Sequence, residues 1–291
     1  AGGVVGKDFD GTITLGSANG NSNVIFADGT NSTSTSMVAT VKANNGVVTY
    51  LGSASVGNIG CSNTPVSSVQ FTGPAGSLEK LQGNVYSAVT NFGNVNLNVA
   101  ASNVILGGGT TAINGNIDLA TNILTFASGT STWGDNTSLS TTLILTSGNI
   151  GHIVIAEDAQ VNATTTGTTT INVQDSANAN FSGTQTYTLI QGGARFAGTL
   201  GDPKFNVTGS NIFVKYGLIR ADNKDYVLTR TNDVANVVTK AIESSQFSDI
   251  GQNVLTFVNS NTAAYNNLLL AKNTTDAANF VGAITTDTSA V

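Results

Sequence analysis

The stretch GKDFDGTITLG, Gly6 to Gly16, decides between two folds. Read as chemistry, Asp8 and Asp10 ahead of Gly11-Thr12 form a pair in which one carboxylate attacks phosphorus and the second moves the proton. That reading requires a buried apolar strand before the pair and an α/β domain around it. It also requires a later lysine and acidic pair to complete a magnesium and phosphate site. Read as structure, the same residues are a solvated turn between short strands. The preceding "GGVVGK" is too short and too broken by glycine for a buried strand, and no helix-strand alternation follows. The pairs Gly134-Asp135 and Gly201-Asp202 lack the second acidic residue a few positions on. The turn reading therefore stands. Alternate carboxylates with a turn glycine also look like half a calcium loop, but the remaining oxygen ligands are missing, so no metal is assigned here.

The composition points away from enzymes of ordinary surface chemistry. Of 291 residues 40% are hydrophobic and only 10% charged, with a mean hydropathy of +0.10. Such a chain folds, and its polar surface must be built from Asn, Thr and Ser, which suit strands and turns better than helices. The net charge is −6, and eight lysines and three arginines are scattered singly, so there is no basic stripe and no nucleic-acid partner is expected. The lone Cys61 excludes an internal disulfide and a cysteine metal cluster. No window approaches 18 apolar residues, and "AGGVVGKDFD" has no cationic and apolar leader pattern, so the chain reads as a piece of a longer one.

Up to about Arg230 the chain consists of strand-length runs: "GVVTYLG", "NVNLNV", "NVILGGG", "ILTFASG", "TTLILTSGN", "HIVIAED", "TTINVQD" and "TYTLIQGG". The punctuation between them is Asn-Gly, Gly-Gly, Gly-Asn and Ser-Gly, which supplies positive φ at little cost. "NGNIDLATNILTFASG" (Asn114–Gly129) echoes "SGNIGHIVIAEDAQVNA" (Ser147–Ala163), and Gln82–Gly109 carries the same Gly-Asn-apolar opening twice. Inexact echoes of this length predict stacked coils, an all-β, right-handed parallel β-helix. Roughly 20 residues per coil gives on the order of ten coils and a rod about 50 Å long. The structural alternative is a pair of immunoglobulin-like or jelly-roll sheets. In the solenoid, Ile117, Leu119, Leu124 and Phe126 alternate inward, with Leu143, Leu145, Ile153 and Ile155 stacked nearby.

The remaining candidate residues read as structural. His152 has no second histidine or cysteine cluster with which to share a metal, and reads as a strand-face residue. Gly107-Gly108-Gly109 is not followed by a lysine and a helix, so it reads as a tight β-arc and not a phosphate cradle. Trp133 reads as a partly buried coil corner. A single histidine among dozens of hydroxyls proposes no Ser-His-Asp set. No catalytic, cofactor-binding or metal residue is assigned, and no cofactor is expected.

"YTLIQGG" (Tyr187–Gly193) followed by "ADNKDYVLTR" (Ala221–Arg230) resembles the autochaperone region with which autotransporter passengers end. "NVILGGGTTAINGNIDL", "TFASGTSTWG", "VNATTTGTTTINVQD" and "NFSGTQTYTLIQGGARF" are similar to stretches of the rickettsial surface cell antigens. The resemblance covers most of the chain. It implies the C-terminal part of an exported passenger on the bacterial cell surface, used for adhesion to and invasion of host cells. Implied partners are a host cell-surface protein receptor, neighbouring copies in a surface layer, and a translocator β-barrel that follows in the full protein.

Domain organisation follows from these readings: β-helix coils over 1–182, an autochaperone-like cap over 183–231 and a helical tail over 232–291. The cap segment, Gly183 to Asp233, holds all three arginines, with Tyr187, Phe196, Phe205, Phe213, Tyr216 and Tyr226, and is expected to bury more apolar area per residue than the coils before it. In the tail, Val234, Val237, Val238, Ala241 and Ile242 form a helical stripe behind Asn232-Asp233. Tyr265, Leu268 and Leu269 form a second stripe, and Ala277, Phe280, Val281 and Ile284 a third behind Thr275-Asp276. By the same resemblance, the site that separates passenger from barrel lies close to Val291. The function expected is a nonenzymatic surface interaction protein. The alternatives are a polysaccharide-acting β-helix enzyme, a lyase or glycoside hydrolase, and a purely structural surface-layer protein. The enzyme needs charge clustered on one face, whereas Glu79, Glu157 and Glu243 are the only glutamates.

Overall fold

Each short β-type run becomes a strand because every second side chain can face one interior, and each strand then pairs with the run one coil later. A computed structural model describes residues 2–5, 8–16, 22–144, 148–163, 168–175, 183–198, 204–221, 224–243, 251–271 and 273–288. In the first sheet Asn23 pairs in parallel with Val47 and Val47 with Ser68. The same sheet then pairs Val66 with Ser87, Val85 with Leu106 and Val104 with Leu124. These steps of 20 to 24 residues are the coil length. Leu124 then pairs with Ile153 and Ile153 with Ile190, so the coils lengthen toward the C-terminus.

Nine strands stack in parallel this way, from Gly2–Val5 through Val47–Tyr50, Val85–Gly93 and Ile123–Trp133 to Thr184–Gln191. At ~4.8 Å per strand the parallel stack is about 40 Å tall. A second sheet runs from Asp8–Phe9 through Ala54–Val56, Leu78–Leu81, Asn96–Val99 and Ser138–Ile144 to Thr169–Asp175 and Phe205–Gly209. A short third ladder of Thr12–Leu15, Met37–Thr40 and Asn58–Ile59 joins the first sheet at Val85. Parallel register with one shared core is the β-helix, and it excludes the antiparallel sandwiches.

The core is built of in-register ladders. Leu97, Ile117, Leu139 and Ile171 succeed one another in the second sheet, all fully buried. The expected inward residues Leu119, Leu124, Phe126, Leu143, Ile153 and Ile155 are buried too, while Leu145 lies outside the described residues. Phe26, Tyr50, Phe71 and Phe92 stack with ring centroids 4.7, 4.9 and 4.6 Å apart and planes within 15° of parallel. The coil repeat sets this spacing, and each ring pair adds about 0.5–1.5 kcal/mol beyond area burial. Trp133 is fully buried, not a partly exposed corner: it pairs in register with the buried Ile113 of the coil before and meets Phe196 edge to face at 4.9 Å.

Gly107, Gly108 and Gly109 lie within one strand, Asn103–Ile113, and not in a loop. The strand turns a corner there, so that consecutive Leu106 and Gly107 are both buried. The previous coil requires glycine at this point: a Cβ on Gly108, at φ +121°, would sit 1.9 Å from the Ser87 carbonyl oxygen.

The repeat stops where the pairing changes sense. Thr184–Gln191 pairs antiparallel with Asp225–Asn232, which pairs antiparallel with Val214–Ala221. An antiparallel hairpin cannot template another parallel coil, so it closes this end of the first sheet. Phe205–Gly209 has no fully buried residue and Val214–Ala221 has one, Val214, because no coil lies beyond them.

Among the described residues four α-helices follow: α1 (Val234–Glu243), α2 (Gly251–Ser260), α3 (Thr262–Leu268) and α4 (Thr274–Thr288). Asn232 Oδ1 accepts from the Val234 amide at 3.0 Å, and Asn261 Oδ1 from the Ala264 amide at 3.0 Å. The start of α4 is fixed by Asn273, whose Oδ1 accepts from the Asp276 amide at 2.9 Å, and not by Thr275-Asp276. Val234, Val237, Val238, Val258, Leu268, Ala277 and Val281 form a second core with Phe213 and Val214. Phe213 thus belongs to the helical cluster and not to the stack. The side chains of Ala241 and Ile242 lie outside the described residues. Among the described residues no helix is long and apolar enough to cross a membrane.

Candidate functional site

The outward side of the stack is a face of amides and hydroxyls joined coil to coil. At corners the backbone ladder lapses and an Asn side chain supplies the missing bond. The Asn84 amide donates to Asn58 Oδ1 at 3.0 Å, and the Ile105 amide to Asn84 Oδ1 at 2.9 Å. On a neighbouring corner Asn114 Nδ2 donates to Asn94 Oδ1 at 2.5 Å, and the Asn136 amide to Asn114 Oδ1 at 2.9 Å. Asn116 Oδ1 accepts from the Ser138 and Ser140 hydroxyls at 2.9 and 3.1 Å, and its amide donates to Asn96 Oδ1 at 3.1 Å. The side chains that decorate this face also hold it in shape.

Asp8 and Asp10 sit at such a corner. Asp8 is exposed in a two-residue strand, and Asp10 Oδ1 accepts from the Thr33 and Thr35 hydroxyls of the next coil at 3.0 and 3.2 Å. Gly11 follows with φ +139°. Asp10 works as an inter-coil acceptor in a turn. His152 opens the strand His152–Ala163, with Nδ1 3.1 Å from the Ile150 carbonyl oxygen. Cys61 is half-exposed; its Sγ lies 2.9 Å from Thr64 Oγ1, and this contact draws the thiol pKa below its ordinary value. Among the described residues no three His, Cys, Asp or Glu side chains converge as metal ligands.

Opposite charges do meet in a cleft of about 510 Å³ lined by Glu157, Arg195, Lys224 and Asp225. Two of the four already bond the backbone: Arg195 Nη1 donates to the Ile155 carbonyl at 3.0 Å, and Asp225 Oδ1 accepts from the Gly192 amide at 2.8 Å.

The C-terminal end holds a buried polar network that sequence spacing did not reveal. Asp175, on the last long strand of the second sheet, receives Arg230 Nε at 2.6 Å and the Tyr216 hydroxyl at 2.7 Å. Gln185 Oε1 receives Arg230 Nη1 at 3.2 Å and the Tyr187 hydroxyl at 3.1 Å. The network ties the hairpin to both sheets. Burial and the Asp175 carboxylate keep Tyr216 well above the ordinary phenol pKa, and burial raises Tyr187 as well.

A parallel β-solenoid with an ordered amide face, closed at one end by a hairpin and a helical cluster, is the architecture of an elongated surface-displayed protein. Residues 1–227 match the family described as Rickettsia outer membrane protein B, passenger domain, and the chain belongs to that family. It is 72% identical over 294 residues to Outer membrane protein B of Rickettsia japonica, an alignment taking in 100% of this chain and 18% of the relative. Identity is 71% to the protein of that name from Rickettsia conorii and 67% to that from Rickettsia prowazekii, each over 99% of this chain and 18% of the relative. The chain therefore spans about a fifth of the length of these relatives. It is a passenger segment of a bacterial outer membrane surface protein. The family match stops at residue 227, within the strand Asp225–Asn232, so Arg230 and the helices lie past it.

Proposed function

We propose that this segment is a nonenzymatic display module, which holds a rigid amide and hydroxyl face at the bacterial surface for adhesion to host cells and their invasion. The observation that carries the reading is the ladder of Asn, Ser and Thr side chains bonded from coil to coil. Such a face keeps its contour without ligand, so a partner binding there meets little further ordering cost. The partner is a host cell-surface protein, and neighbouring copies of the passenger offer a second contact. The C-terminal hairpin and its buried network form the end nearest the translocator barrel of the full-length protein. This end folds first on emergence and templates the coils that follow. On this reading the domains divide into coils over 1–182, a cap over 183–231 and a helical tail over 232–291.

The experiment is binding of the labelled chain to intact host cells, before and after protease stripping of surface proteins, with a glycan panel assayed in parallel. Saturable binding that disappears on stripping is the expected result. Release of reducing ends or unsaturated products from the panel would instead establish the polysaccharide-acting enzyme.

A further inference from the structure

We propose that Glu79 is a buried proton switch of the N-terminal coils: as a neutral acid it is seated in the stack, and as a carboxylate it leaves, loosening the coils around it. The strand Leu78–Leu81 reads Leu-Glu-Lys-Leu, and its register turns Glu79 and Leu81 inward and Leu78 and Lys80 outward. Glu79 pairs in register with Ala54 of the coil before and Leu97 of the coil after, and is fully buried between them. Neither of its carboxylate oxygens makes a well-formed hydrogen bond, the Ala54 amide alone lying close enough to act on the group.

The titratable groups that act on this site come from two neighbouring elements. Tyr50, locked between Phe26 and Phe71, faces it from the first sheet, and Asp28 contributes from the turn after Asn23–Phe26. Neither is a cation. Lys80, next in sequence, is exposed on the opposite side of the strand. An ionised Glu79 would thus be a desolvated charge beside a second negative group, which a stack of this kind cannot hold. Burial, with the Asp28 charge adding to it and the nearby Ala54 amide opposing, pushes Glu79 up to about 8.

The sign follows from linkage. When the coils open, Glu79 reverts to the ordinary range near ~4.3, so the closed form binds the proton more tightly than the open one. The stabilisation is complete below that value, declines about tenfold in the closing equilibrium per pH unit above it, and is gone above about 8. The ionisation moves one proton from the carboxyl to solvent and needs no other reactant.

The experiment is amide hydrogen exchange of the full 291-residue chain at several pH values from 5 to 9, corrected for intrinsic exchange, for wild type, Glu79→Gln and Asp28→Asn. Wild-type protection across 47–99 should fall about tenfold per unit up to pH 8, while 152–175 stays level. Glu79→Gln should flatten that fall. Asp28→Asn, at an exposed position, should end it at somewhat lower pH by removing the smaller of the two influences that raise Glu79, burial being the larger, and it supplies a reading if the Gln variant folds poorly. Identical pH profiles for wild type and both variants, or an equal fall in both regions, would overturn the proposal.

Discussion

Arg230 Nε lies 2.6 Å from Asp175 Oδ2 with both side chains fully buried, joining the last strand of the C-terminal hairpin to the second sheet across 55 residues of sequence. Removing one partner takes the directly bonded opposite charge away from the other at a buried position. Asp175→Ala or Arg230→Ala should therefore each destabilise by about 3–5 kcal/mol. The pair of changes Asp175→Leu with Arg230→Met should recover most of that loss, because no lone charge remains. Urea unfolding of the three variants checks this. Single variants within 1 kcal/mol of wild type would mean that water reaches the pair.

The ring stack makes a second demand. Phe71 lies between Tyr50 and Phe92 at 4.9 and 4.6 Å, so Phe71→Ala removes two stacked contacts and opens a cavity. The expected cost is about 3–5 kcal/mol. A double-mutant cycle of Phe71 with Phe92 should return a coupling of about 0.5–1.5 kcal/mol. Additive losses would show that the rings share the core without acting on one another.

Asp10 accepts hydroxyls from Thr33 and Thr35 and has the role of a turn acceptor. Asp10→Asn keeps an acceptor in place and should change stability by less than about 1 kcal/mol. EDTA should leave the melting temperature where it is. A drop of several degrees on chelation, abolished in Asp10→Asn, would restore a calcium site at this corner.

The stacked fold was readable because strand-length runs, Gly-Asn openings and inward Val, Ile and Leu recur at coil spacing, and Ile117, Leu119, Leu124, Phe126, Leu143, Ile153 and Ile155 are buried as alternation puts them. Glu79 was not readable. In Leu-Glu-Lys-Leu each face of the strand carries one apolar and one charged residue, so a period of two cannot choose between them; Ala54, Val56, Leu97 and Val99 of the adjacent coils do. The Arg230 to Asp175 pair was hidden for a different reason, since long-range pairing leaves no mark in local spacing. Helix α2 was missed because Gly251-Gln252-Asn253 offers no start signal, and of its described side chains only Val258 is buried while Phe257 stays 37% exposed. The cap does not bury more than the coils throughout. Its hairpin and network are well packed, but Phe205–Gly209 and Val214–Ala221 are half-open, as the last strands of a stack must be.

The proposed function predicts a direction of stability along the stack, from a buried acid among the N-terminal coils to a buried ion pair, a hairpin and a second core at the C-terminal end. That direction would suit a passenger whose C-terminal end folds first and templates the rest. The most direct measurement is native-state hydrogen exchange at pH 7 in rising subglobal denaturant, followed by refolding of the last protected fragment. Protection lost first over 22–99 and last over 152–232, with a surviving C-terminal fragment that refolds alone, is the expected result. Coils before residue 144 that outlast the hairpin, or an isolated C-terminal fragment that stays unfolded, would contradict it.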